Sequence, residues 1–179
     1  MIGEIGHFAL WLAISAALAQ GWLGLVGAHR LDGPMMKAAS RAAQAQALLV
    51  ALAFGCLIAS FVNNDFSLIN VASNSNSKLP TPYRIAASWG SHEGSILLWS
   101  LMLAGWSAAV TVFGKPLSDV IRSRVVGVLA LISIGFLVFT AVTSNPFDRT
   151  WPVPADGRDL NPLLQDPGMV IHPPMLYMG

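Results

Sequence analysis

The stretch Val125-Val126-Gly127-Val128-Leu129-Ala130-Leu131-Ile132-Ser133-Ile134-Gly135-Phe136-Leu137-Val138-Phe139-Thr140-Ala141-Val142 carries no charged residue along its whole length. A helix needs about 20 mostly apolar residues to cross the hydrocarbon core of a bilayer, and this run meets that length. Three more windows of the same kind lie upstream at 7–28, 42–62 and 94–113, none holding an Asp, Glu, Lys or Arg. Each is apolar on nearly all sides, with Gly, Ala and Ser interspersed, as helix packing in lipid favours. The pattern predicts an all-α polytopic integral membrane protein with four transmembrane helices. Composition agrees: 54% of the chain is hydrophobic and 11% charged, against about a quarter charged in soluble domains.

Outward from these windows, punctuation divides the rest. Residues 1–142 read as a four-helix transmembrane domain and 143–174 as a proline-rich outer segment holding Pro146, Pro152, Pro154, Pro162, Pro167, Pro173 and Pro174. Such a segment cannot be one helix, although Leu160 to Gln165 has room for a short turn. At 175–179 the chain turns apolar again, which predicts the start of a fifth helix. The Asn- and Ser-rich stretch before Trp89, with Pro80 and Pro82, is expected to be a surface loop. Ala17-Leu18-Ala19 imitates a signal-peptide cleavage site, but no Lys or Arg precedes it and the apolar run continues past it, so a retained helix is expected.

Charge sets an orientation. Arg30, Lys37, Arg41, Lys115, Arg122 and Arg124 cluster in the connections 29–41 and 114–124, which predicts a cytoplasmic location for both and an outer face for the rest. Formal net charge is +1, and no strongly basic face of the kind nucleic acid requires is indicated. The single cysteine, Cys56, lies in an apolar run, which excludes an internal disulfide and a thiolate metal cage.

In such a chain the ionisable residues near the apolar layer are the informative ones. His7 opens the first span near Trp11 and Trp22 and reads as ordinary interfacial belt chemistry; His29 beside Arg30 reads as solvated. Trp89-Gly90-Ser91-His92-Glu93-Gly94-Ser95 puts an imidazole and a carboxylate at the mouth of the third span. On a continuous helix Trp89, His92, Trp99 and Trp106 share one stripe, so the alternatives are a functional surface and a Trp packing stripe with a dipole-favoured Glu93. His172 precedes Pro173 and Pro174, and a residue before proline favours extended backbone; this predicts a stiffly presented imidazole suited to axial metal ligation. No phosphate-binding loop, HExxH or nucleophile elbow is present.

Together these motifs resemble the CcmF/NrfE family of cytochrome c-type biogenesis proteins. The resemblance rests on Trp89-Gly90-Ser91-His92-Glu93-Gly94-Ser95-Ile96-Leu97-Leu98-Trp99, on Asn145-Pro146-Phe147, on Asp156-Gly157-Arg158-Asp159-Leu160-Asn161-Pro162-Leu163-Leu164-Gln165-Asp166-Pro167 and on His172-Pro173-Pro174-Met175-Leu176-Tyr177-Met178-Gly179. It implies the amino-terminal portion of a haem lyase subunit in the bacterial inner membrane, working on the periplasmic face. Haem would come from a CcmE-type chaperone and be joined to the CxxCH of an apocytochrome c presented by a CcmH-type subunit. His172 matches the first of the family's two periplasmic haem-ligating histidines, with Trp89, His92 and Glu93 near the site and Arg84, Arg149 and Arg158 as cations for propionates. The family's tryptophan-rich motif, its second periplasmic histidine and the ligands of its own haem b all lie beyond Gly179, so this chain alone is not expected to perform lyase chemistry. The competing expectation is a helical subunit of a transporter or proton-translocating complex, with His92 and Glu93 on an ion path.

Overall fold

The computed structural model describes residues 1–178. Its helices in chain order are α1 (Ile2–Arg30), α2 (Gly33–Val62), α3 (Ile69–Asn74), α4 (Thr81–Gly90), α5 (His92–Phe113), α6 (Asp119–Val142), a 3₁₀ turn (Pro162–Gln165) and α7 (Pro167–Met178). Four of them, α1, α2, α5 and α6, are long and apolar enough to cross a membrane.

These four close into a ring in which α1 packs on α2 and α6, and α5 packs on α2 and α6. Caps set their limits. Asp32 accepts from the Met35 amide at 3.0 Å to start α2, with Pro34 in its first turn, and Leu31 at φ 54° closes α1 just before it. Ser118 caps α6 through the Ile121 amide.

Glycines let α1 and α6 approach closely: a Cβ on Gly24 would lie 3.0 Å from the Ser123 carbonyl oxygen and 3.2 Å from Gly127 Cα. Ser123 Oγ donates to the Gly24 carbonyl at 2.9 Å across the same seam. Two fully buried glutamines bolt the ring together. Gln20 on α1 donates to Ser107 Oγ on α5 at 2.9 Å and to the Val126 carbonyl on α6 at 2.8 Å, while Gln46 on α2 donates to Ser133 on α6. Small residues and side-chain hydrogen bonds are what join helices where lipid removes the hydrophobic drive.

All six clustered basic residues lie toward one end of the bundle. The opposite end is more elaborate than the sequence predicts. The stretch after α2 is not a plain loop, since it contains α3 and α4; Pro82 stands in the first turn of α4, where a missing amide costs nothing. It is also stitched to the segment after α6. Ile69 N donates to the Asp148 carbonyl, Thr150 N to Ser67, and Arg158 N to Ala72, at 2.8, 2.9 and 2.8 Å. Asp156 accepts from Ser77 N and Oγ, and Asn76 bonds Asp159. The polar residues of the two segments thus satisfy each other.

The expected turn near Leu160 to Gln165 is present as the 3₁₀ turn. The last helix starts earlier than residue 175. Asp166 Oδ1 accepts the amides of Gly168 and Met169 at 2.9 and 3.2 Å, which makes Asp166-Pro167 a capped helix start. Gly179 lies outside the described residues.

Candidate functional site

The sequence motifs meet at the end opposite the basic connections. Trp89 and His92 do not share one helix face, contrary to the continuous-stripe expectation, because the chain breaks between them. Ser91 is extended at φ −90° and ψ 162°, and its Oγ accepts the Gly94 amide at 3.0 Å. Gly94 is required at that corner: a Cβ there would fall 1.8 Å from the Ser88 carbonyl oxygen. Trp89 therefore ends α4 while His92 opens α5, with Glu93 in the first turn, where the helix dipole favours a carboxylate.

His92 is exposed, with Ser144 Oγ 3.1 Å from Nδ1 and the Phe139 ring edge-on at 6.2 Å. Half-buried His7 accepts the Trp11 indole N–H on Nε2 at 2.9 Å, which puts its own ring proton on Nδ1. Asn145 Nδ2 lies 3.4 Å from the same nitrogen, and the Phe147 ring stacks 6.4 Å away. The segment after α6 thus contacts both imidazoles. Ser144, Asn145 and Phe147 had no role assigned from the sequence; the Asn145-Pro146-Phe147 signature was the signal for the latter two, and Ser144 had none.

His172 departs from the extended geometry expected before proline, since it sits inside α7 with Pro173 and Pro174. Burying prolines in a helix removes amides and crowds carbonyls, and the cap at Asp166 together with contacts from α4 and α5 offsets that strain. Two contacts fix the helix: the Trp89 indole N–H donates to the Val170 carbonyl at 3.0 Å, and Tyr177 stacks on Trp99 at 5.8 Å and 16°. Pro82, Tyr83, Pro167, Val170 and Ile171 line an apolar cleft of about 220 Å³ between α4 and α7. The His172 ring is exposed and makes no hydrogen bond or ion pair among the described residues, so its nitrogens are open to a ligand.

The three arginines differ. Arg84 donates Nε to Leu79 O at 2.7 Å, Nη1 to Val62 O at 3.3 Å and Nη2 to Ser77 O at 2.7 Å, so its guanidinium ties α4 to the loop and the end of α2. Arg149 is engaged by Glu4 and Ser67. Arg158 is exposed on a polar cleft of about 260 Å³ with Ser73, Thr150 and Asp156, its guanidinium unpaired among the described residues.

A family model described as cytochrome C assembly protein matches residues 89–179, the half of the chain that holds these motifs. The chain belongs to the cytochrome c assembly protein family. Over its full length it is 54% identical to the cytochrome c-type biogenesis protein CcmF of Pseudomonas aeruginosa and 49% identical to CcmF of Escherichia coli, covering 27% and 28% of their lengths. Similarity to NrfE of Haemophilus influenzae is lower, at 41% identity. A solved cytochrome c haem lyase CcmF superposes with a TM-score of 0.85 at 27% identity, over 99% of this chain and 28% of that one. Within the cytochrome c assembly family the likeness is thus to an amino-terminal portion of CcmF, and the chain spans about a quarter of its relatives' length.

Proposed function

We propose that this chain is part of a cytochrome c maturation haem lyase in the bacterial inner membrane, and that its elaborated end faces the periplasm. There it receives haem from a CcmE-type chaperone for attachment to the CxxCH of an apocytochrome c held by a CcmH-type subunit. The observation that carries the reading is that α4, α5 and α7 converge at this end, and that the His172 imidazole on α7 is exposed and makes no hydrogen bond or ion pair among the described residues. Neutral imidazole is a good ligand for haem iron, and the protein's part is to bind and orient while haem and substrate thiols supply the reaction.

In this reading His172 is one axial ligand of haem in transit. Trp89, His92 and Glu93 shape the surface around it, and Arg158 offers a cation to a propionate. Arg84 and Arg149 act one step back, holding the loop and segment that carry Ser77 and Asp156. An ion-path role finds less support, since the buried polar side chains among the described residues are Gln, Asn, Ser and Thr, none of them ionisable.

In the full-length protein His172→Ala is expected to abolish cytochrome c maturation, and His172→Gly to recover in part when imidazole fills the vacated position. Normal maturation in His172→Ala would remove the ligand role.

A further inference from the structure

Pro174 has no amide hydrogen, so the Val170 carbonyl four residues back has no helical donor. Val170 is only half exposed, and a carbonyl orphaned away from water is costly. The donor that fills the gap comes from another element: the Trp89 indole N–H, at 3.0 Å. We propose that Trp89 is a positioning residue, whose N–H stands in for the amide Pro174 lacks and so fixes the rotation of α7 about its axis.

His172 lies between the two residues concerned, two positions after Val170 and two before Pro174, so the bond sets the direction in which its imidazole points. The consequence for haem handling rests on the reading of His172 as a ligand; the hydrogen bond itself does not. The corner at Ser91 and Gly94 makes the bond possible, because on a continuous helix Trp89 would lie in the α5 stripe with Trp99. Trp99 has a separate task, stacking on Tyr177 farther along α7. The two tryptophans thus hold the helix at two places, one by a polar contact and one by a ring face.

Pro174→Ala restores an amide that can reach Val170 O, which makes the indole N–H dispensable. Trp89→Phe keeps a large ring but removes the donor. The test is a double-mutant cycle in the full-length protein, with a spin label at Met169→Cys, native cysteines replaced, and cytochrome c yield measured alongside. Trp89→Phe is expected to mobilise the label and lower yield several-fold in the Pro174 background, and to do much less of both in Pro174→Ala. An equal effect of Trp89→Phe in both backgrounds, or no effect on the label in either, overturns the proposal. Failure of the ligand reading looks different: the label would respond as expected while His172→Ala left the yield intact.

Discussion

Asp156 accepts from Ser77 Oγ at 2.6 Å, Ser77 N at 2.9 Å and Gly157 N at 2.8 Å, a set of donors that favours the ionised carboxylate. The Ser77 hydroxyl is the largest cause holding its pKa below the ordinary aspartate value, followed by the two amides. The sign is that of any depressed acid: the contact contributes fully above the unfolded pKa of about 3.9 and is lost as pH falls through the lower folded value. A spin label at Ala155 should therefore be restrained at neutral pH and gain motion in acid, and in Ser77→Ala that gain should begin at higher pH. An unchanged midpoint in Ser77→Ala would mean that the hydroxyl does not hold the segment. At this scale the sequence marked candidate residues but not their partners. His172 was legible as a candidate, yet the pre-proline preference pointed to extended backbone, because a local rule does not register the Asp166 cap or the donor on Trp89.

The seam between α1 and α6 is set by residues without side chains. Gly24→Leu would drive a Cβ against the Ser123 backbone and Gly127, where no flexible side chain can yield. A loss of about 1–3 kcal/mol is expected, read as a lower thermal unfolding midpoint in detergent. Gly105→Leu is the matched control: it lies on α5 with nothing within 4 Å of an added Cβ, and should change stability by less than about 0.5 kcal/mol. If both substitutions destabilised equally, the close approach at Gly24 would not be the cause, since Leu has a higher helix propensity than Gly and the change in propensity is favourable at both sites. Elements of this kind were the most legible part of the fold, since a long uncharged window has few other solutions. The shorter ones were hidden: α4 begins among prolines that read as loop punctuation, and the start of α7 lay in an Asp-Pro pair that also fits a turn.

Orientation belongs to the whole molecule. Arg30, Lys37, Arg41, Lys115, Arg122 and Arg124 mark one end, and the joined segments around Ser75 and Asp156 mark the other. Reporter fusions should be active in the cytoplasm at Pro34 and Ser118 and in the periplasm at Ser75 and Asp156, and an outside signal at Pro34 would invert the arrangement. The buried Gln20 contact with Val126 adds a question of timing, because its partners are 106 residues apart in sequence. At a synthesis rate of about 5–20 residues per second, α1 waits roughly 5–20 s in the membrane before α6 exists. During that interval Gln20 has no Val126 carbonyl to bond and the cleft at Gly24 stands open beside lipid. The ring closes last at the α1–α6 seam, and until α6 arrives the nascent chain depends on α2, its immediate hairpin neighbour, or on the insertion machinery to shelter that face.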